Sequence, residues 1–127
     1  MTQNTMQQII ITEPGGPEKL AYETVAIPEP QANEVLVKVH AFGLNRPDIL
    51  QRQGLYPMPK GVTPVPGLEV AGEVVAVGAD VSQFKVGDAV CGLTNGGGYA
   101  EYCVVPESQT LTIPTGVSFV QAAAIPE

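Results

Sequence analysis

Short runs of apolar residues, many of them β-branched, recur along the chain, and groups of glycine and proline separate them. Such runs are shorter than a typical helix, and β-branched residues favour the pleated surface of a sheet. In the run 34–41, Val35, Val37 and Val39 share one face, and the other, mixed face holds Leu36, Lys38 and His40. The pattern predicts about seven strands, at 6–11, 20–26, 34–41, 70–77, 86–91, 99–105 and 111–113. We therefore expect a mainly β chain that forms a partly open barrel.

The hydrophobic period changes at Asn45, where several helix signals coincide. Asparagine is a favourable N-cap residue, Pro47 suits the first turn, and Asp48 complements the positive end of a helix. Gly54 can end the helix, which predicts a short element of about two turns.

A second helix is predicted near the carboxyl end of the sequence. Ser118 is followed three residues later by Gln121, the spacing of a capping box, and a run of alanines comes next. Pro126 cuts this helix short. Because a domain rarely stops just as a helix begins, we expect the sequence to be part of a longer protein.

The window 45–60 differs in charge from the rest of the chain. It holds three of the six cationic residues, Arg46, Arg52 and Lys60, with one acid, whereas the whole chain carries a formal net charge of −7. A local excess of cations in an acidic protein favours an anionic ligand. The stretch 55–66 contains four prolines and is predicted to be a surface loop that can border a cleft.

Composition also excludes several classes of function. A net charge of −7 argues against binding to nucleic acids or anionic membranes, because phosphate groups are held mainly by Lys and Arg. No apolar run approaches the roughly 18 residues of a membrane-spanning helix. The amino terminus does not resemble a secretory signal, so cytoplasmic residence is expected. Cys91 and Cys103 lie in separate apolar runs without a nearby histidine, which predicts buried thiols and no zinc site.

Several short motifs occur in order along the chain. They are NRPD at 45–48, QGLYP at 53–57, PGLEVAG at 66–72, VGDAV at 86–90, GGYAEY at 97–102, IP at 113–114 and QAAAIPE at 121–127. Together they resemble the amino-terminal half of zinc-independent medium-chain dehydrogenase/reductases, above all the NADPH:quinone reductases of the zeta-crystallin type. The resemblance implies that residues 1–127 form a GroES-like partly open β-barrel with short helices, the substrate-side domain, and that the Rossmann cofactor domain is absent from this chain.

Asn45 has both a structural and a chemical interpretation. Its amide can hold a substrate carbonyl and polarise it, and its position also suits a helix N-cap. In zinc-dependent members of the superfamily this position is a cysteine ligand of the metal. The resemblance implies that asparagine here lies near the nicotinamide and the substrate, and both roles can hold together.

Arg46 and Tyr56 are the other two candidate site residues. The resemblance places Arg46 at a position that contacts the cofactor pyrophosphate, and a guanidinium can donate two parallel hydrogen bonds to a phosphate. The alternative is a solvated side chain in the first turn. Tyr56 matches a tyrosine that lines the quinone pocket, where a phenol can stack or donate a proton, although it also suits plain packing in a loop. Glu69 is expected to be structural.

The motifs depart from those of the zinc enzymes at the metal positions. Leu68 stands where those enzymes have a histidine ligand, and Pro47 stands where they have a serine or threonine that relays a proton. With the cysteine position occupied by Asn45, no catalytic or structural zinc is expected.

The resemblance implies an intact enzyme, a homodimer, that transfers hydride from NADPH to a quinone or another conjugated carbonyl. The 127-residue chain alone is expected to be inactive, because hydride donor and acceptor must be positioned by both domains. Two alternatives stay open. One is a zinc-free enoyl reductase that acts on a thioester-linked or lipid enone, and the other is a free-standing GroES-like binding module without redox activity.

Overall fold

The computed structural model describes residues 4–55 and 63–126, and within them the protein is mainly β, as the sequence predicts. The strands are β1 (Thr5–Ile11), β2 (Leu20–Ala26), β3 (Glu34–Phe42), β4 (Glu69–Val77), β5 (Ala89–Leu93), β6 (Tyr102–Pro106) and β7 (Thr110–Thr112). The α-helices are α1 (Arg46–Arg52) and α2 (Phe119–Ala122), and short 3-10 helices occupy Pro17–Lys19 and Glu107–Gln109.

The strands form one antiparallel hairpin and one larger antiparallel sheet. Strands β1 and β2 make the hairpin, and the other five pair in the order β6-β3-β4-β5-β7. The hairpin contacts the segment just before β6, where the Ile9 N–H donates to the Tyr99 carbonyl at 2.8 Å and Gln8 forms a bridge with Ala100. The larger sheet curls into a half-barrel, which confirms the expected partly open barrel with short helices.

Two predicted strands begin later than their apolar runs suggest. The first, at 86–91, forms β5 only from Ala89, because Gly87 has a φ of 100° and Asp88 turns the chain by accepting the Lys85 N–H at 3.0 Å. The second, at 99–105, forms β6 only from Tyr102. Its first residues pair elsewhere, since the Tyr99 N–H donates to the Pro66 carbonyl at 3.0 Å.

The core lies on both faces of the larger sheet. One cluster contains Val35, Val37, Val70, Val74, Val90, Cys103 and Val105, all with at most 3% of their surface exposed. The other contains Ala71, Cys91, Ala122 and Ala123, and thus packs α2 against the sheet. Val70 belongs to the first cluster and its neighbour Ala71 to the second, because successive side chains of a strand point to opposite faces of the sheet. Each fully buried valine contributes about 1.5–3 kcal/mol.

Helix α1 is fixed at its first turn by a buried carboxylate. The Asp48 side chain is 4% exposed, and its Oδ2 accepts hydrogen bonds from the Asn45 backbone N–H at 3.1 Å and from the Tyr99 hydroxyl at 2.7 Å. The Tyr99 ring packs against Phe42 at the end of β3, with 4.6 Å between ring centroids. Burial, and then the hydrogen bond to Asp48, raise the pKa of Tyr99, so its hydroxyl stays protonated and donates.

The other end of α1 is fixed to the loop between β1 and β2. Nε of Arg52 donates to the Gly15 carbonyl at 3.1 Å, and the Gly15 N–H donates to the Arg52 carbonyl at 2.8 Å. The Gln51 side chain donates to the Pro64 carbonyl at 2.8 Å. Arg52, one of the cations of the window 45–60, therefore has a structural role.

Tyr99→Phe should destabilise the folded protein, because it removes a donor from a buried carboxylate. Oδ1 of Asp48 is already buried without a partner among the described residues. We expect the free energy of unfolding to fall by about 1–3 kcal/mol, measured by urea denaturation. Tyr22→Phe is the matched control, because Tyr22 is 77% exposed on β2 and its hydroxyl should contribute little. Equal stability of the Tyr99→Phe variant and the wild type would contradict this account of α1.

Both cysteines should be protected from thiol reagents in the folded protein. Cys91 and Cys103 are free and buried, as predicted. Burial raises the pKa of both thiols, that of Cys103 to about 11, so little thiolate forms at pH 8. We expect slow reaction with Ellman's reagent at pH 8 and rapid reaction of both thiols in guanidinium chloride. Fast labelling of either cysteine without denaturant would show that its sulfur is accessible.

Candidate functional site

Asn45 lies between the end of β3 and the start of α1, in the N-cap position that the sequence predicts. Its backbone is extended, with φ −125° and ψ 162°, and the side chain is partly buried. Nδ2 of Asn45 donates a hydrogen bond to Oε1 of Glu69 at 3.1 Å. Asn45 is therefore held by its backbone through Asp48 and by its side chain through Glu69.

The contact between Asn45 and Glu69 depends on a glycine two residues before Asn45. A Cβ atom built on Gly43 would lie 1.9 Å from Oε1 of Glu69, so any side chain there would displace the carboxylate. The Gly43 N–H donates to the backbone carbonyl of Glu69 at 3.3 Å, which brings the two segments together. Sequence reasoning did not find this contact, and Gly43 is the local signal that points to it.

Arg46 is the first residue of α1 and is exposed. Within residues 4–55 and 63–126 it has neither a hydrogen bond nor an ion pair. The buried carboxylates of Asp48 and Glu69 are each engaged by other groups. The guanidinium therefore faces solvent beside Asn45, where it can meet an anionic group.

Two residues of the window 45–60 that the sequence analysis singles out lie outside the described residues. These are Tyr56, predicted to line the acceptor pocket, and Lys60. The described chain leaves α1 through Leu55, which is 68% exposed, and resumes at Thr63. The predicted role of Tyr56 stays a prediction.

A groove of about 600 Å³ runs beside this region, between the hairpin and β3. Its lining includes Ile9, Tyr22, His40, Phe42, Tyr99 and Val120. Asn45 and Arg46 do not line this groove. Phe42 and Tyr99 do line it, and the Tyr99 hydroxyl also donates to Asp48 in the first turn of α1. His40 stacks on Phe119 of α2 with 4.2 Å between ring centroids, which gives this strand histidine a packing partner.

In the part of the chain that the structure describes, no group of three or more His, Cys, Asp or Glu side chains is arranged to hold a metal ion. No helix within the same residues is long and apolar enough to cross a membrane.

Comparison with known proteins extends over nearly the whole chain. A quinone oxidoreductase of Sus scrofa is 44% identical over 125 residues, which cover 97% of this chain and 38% of that protein. The structure of the Escherichia coli quinone oxidoreductase complexed with NADPH is similar with a TM-score of 0.86 and 35% identity, covering 94% of this chain and 36% of that one. The CurK enoyl reductase gives a TM-score of 0.85 and 32% identity, covering 98% of this chain and 40% of that one.

The chain spans 38% of the length of the Sus scrofa relative. These matches confirm the resemblance to quinone oxidoreductases that the ordered motifs predict. The family model for the alcohol dehydrogenase GroES-like domain matches residues 31–115, more than half of the chain. The chain therefore belongs to the alcohol dehydrogenase GroES-like domain family.

Proposed function

We propose that this chain is the substrate-side domain of a longer, zinc-independent quinone oxidoreductase that uses NADPH. The observation that carries the proposal is the fixed amide of Asn45 at the start of α1, in a domain whose relatives over 97% of its length are quinone oxidoreductases. The whole protein's activity, its cytoplasmic location and its assembly as a homodimer are parts of this proposal.

Asn45 donates a hydrogen bond to the oxygen of the quinone or conjugated carbonyl that is reduced. One N–H of its Nδ2 is directed at Glu69, and the second has no partner among the described residues. When a quinone or conjugated carbonyl is reduced, negative charge builds up on its oxygen. A donor fixed in advance stabilises that charge more than it stabilises the neutral ground state, which lowers the barrier.

Arg46 fits a role in holding the cofactor. Its exposed guanidinium has no ion-pair partner among the described residues, and it stands in the first turn of α1 beside Asn45. A guanidinium binds a phosphate through two parallel hydrogen bonds. When bound, NADPH supplies the hydride, and most of its contacts are expected from a Rossmann domain.

Tyr56 completes the proposed pocket on the strength of its motif. Its ring would stack on a planar acceptor, and its hydroxyl would donate a hydrogen bond or a proton to the second oxygen. Zinc has no part in the proposed reaction, because Leu68 offers no lone pair and the neutral amide of Asn45 is not among the usual zinc ligands.

Three apolar side chains close to Asn45 in sequence are exposed. Leu44 and Leu55 are 76% and 68% exposed, and Ile49 of α1 is 37% exposed. Exposed apolar patches on a protein surface often mark sites of contact with another domain or molecule. In the proposed enzyme the cofactor domain covers this face, which places Asn45 and Arg46 between the two domains.

An enoyl reductase is the second candidate, and the similarity to the CurK enoyl reductase favours it. An enone and a quinone both present a conjugated carbonyl, so the same amide donor serves either acceptor. The ratio of kcat/KM for quinones to that for thioester-linked enones, measured on the full-length protein, separates the two. A free-standing binding module would show neither activity.

Asn45→Ala should lower kcat, and with it kcat/KM for the quinone or conjugated carbonyl, by about 100-fold in the full-length protein, because one preorganised donor is lost. The KM for NADPH should stay unchanged. Asn95→Ala is the matched control, since Asn95 is an exposed asparagine in the turn before β6. Steady-state NADPH oxidation measures both constants. An unchanged kcat/KM in the Asn45→Ala variant would remove this residue from the mechanism.

Arg46→Gln should weaken cofactor binding and leave the acceptor unaffected. Loss of a charged phosphate contact corresponds to about a tenfold rise in the KM for NADPH, with the KM for quinone unchanged. Lys38→Gln serves as the control, because Lys38 is an exposed cation on β3. If both variants bind NADPH as the wild type does, Arg46 does not contact the cofactor.

A further inference from the structure

Two buried carboxylates hold Asn45, one through its backbone and one through its side chain. Oδ2 of Asp48 accepts the Asn45 backbone N–H, and Oε1 of Glu69 accepts the side-chain amide, each at 3.1 Å. Asp48 is 4% exposed and Glu69 is 3% exposed. Carboxylates are almost never this buried unless they are paired with donors. Both hydrogen bonds therefore stabilise the folded site.

The contact with Glu69 determines which atom of the amide faces which way. The amide atom at 3.1 Å from Oε1 of Glu69 is the nitrogen, which donates its hydrogen to this oxygen. Turning the amide over would bring two acceptors together in a buried place, which costs the desolvation free energy of both. The carbonyl oxygen of Asn45 is thereby kept away from Glu69, and the amide group is held in one orientation.

The neighbourhood is shaped around this carboxylate. Gly43 leaves the space that Oε1 occupies, since a Cβ there would lie 1.9 Å away. Burial, and then the charge of Glu69, raise the pKa of the Cys91 thiol on β5. Glu69 thus stands in a water-poor region, where a hydrogen bond from an amide to a carboxylate is stronger than in solvent.

We propose that Glu69 is a positioning residue, which fixes the Asn45 amide so that its second N–H is presented to the acceptor. The proposal rests on the proposed function, because it acts through Asn45. The Asp48 carboxylate holds the backbone N–H of Asn45, whereas Glu69 holds the side-chain nitrogen. Without Glu69 the nitrogen loses this partner, and a smaller fraction of the molecules then offers the second N–H in the reacting geometry.

The first test uses the full-length protein and removes the side-chain oxygens of Glu69, one of which accepts the hydrogen bond from Asn45. Glu69→Met has a similar length and should lower kcat by about 10-fold, with the KM for NADPH and quinone nearly unchanged. Glu69→Gln keeps an acceptor oxygen and should restore most of kcat. Glu73→Met is the matched control, because Glu73 is an exposed carboxylate on the same strand, β4, and kcat should not change.

A double-mutant cycle separates positioning from general stabilisation. If Glu69 acts through the amide, Glu69→Met should have no further effect on kcat in the Asn45→Ala background. The double variant should then lose about 100-fold, as Asn45→Ala alone does, and not the roughly 1000-fold product of the two losses. Additive losses in the cycle would overturn the proposal.

A second readout needs no turnover. The side-chain amide resonance of Asn45 in ¹⁵N-labelled protein is identified by its disappearance in Asn45→Ala. It should shift in Glu69→Met and stay in place in Glu73→Met. If Glu69→Met does not fold, as judged by circular dichroism, Glu69→Asp replaces it. Glu69→Asp keeps the carboxylate but moves it one methylene farther from the Asn45 amide. The same loss of kcat is expected.

The outcomes distinguish this proposal from the proposed function. Full kcat in a folded Glu69→Met variant, or an unmoved Asn45 resonance, overturns the positioning role while a large effect of Asn45→Ala leaves the function intact. Wild-type kcat in Asn45→Ala overturns the role of the amide, and with it the role of Glu69.

Discussion

The hydrogen bond from Asn45 to Glu69 joins the turn after β3 to the first residue of β4, and the arrangement of the site depends on it. It requires a close approach of the two segments, which Gly43 permits by having no side chain. The same strands approach closely again farther along, where a Cβ on Gly72 would lie 2.0 Å from the Lys38 carbonyl oxygen. Glycine at both places permits the close approach of β4 to β3 and to the turn that follows β3.

Helix α1 has seven residues, and so short a helix gains little stability from its own hydrogen bonds. Its position is imposed by tertiary contacts at both ends, the Asp48 carboxylate with Tyr99 at the start and Arg52 with Gly15 at the end. A rigid support of this kind suits a site that must hold one amide in one orientation. In the proposed mechanism, hydrogen bonds therefore hold the site residues in fixed positions. In zinc-dependent members of the superfamily a metal ion has this role.

Local signals predicted much of this structure, and contacts between distant residues account for the rest. Strand β2, the capping box at Ser118 and the N-cap at Asn45 follow from short patterns and are confirmed. The starts of β5 and β6 were wrong because the chain first makes a turn or pairs with another segment. Leu36 was expected on the mixed face of β3 and is only 7% exposed, since the sheet is covered on both faces.

The candidate site shows the same limit. Asn45 and Arg46 are predicted site residues, Asn45 from its amide and both from the resemblance of their motif, and they adjoin each other at the start of α1. Glu69 was expected to be structural, but its hydrogen bond to Asn45, 24 residues earlier, was not predicted, because Gly43 alone does not identify its partner across that separation. Tyr56, which lies outside the described residues, stays a prediction that rests on its motif.

The most direct test of the central claim is NADPH oxidation by the full-length protein, with a quinone as acceptor, before and after exhaustive treatment with a metal chelator. We predict quinone-dependent turnover that the chelator does not change. No turnover with any quinone, or turnover that disappears with the chelator and returns with zinc, would contradict the claim that a fixed amide, and no metal, polarises the quinone in the proposed enzyme.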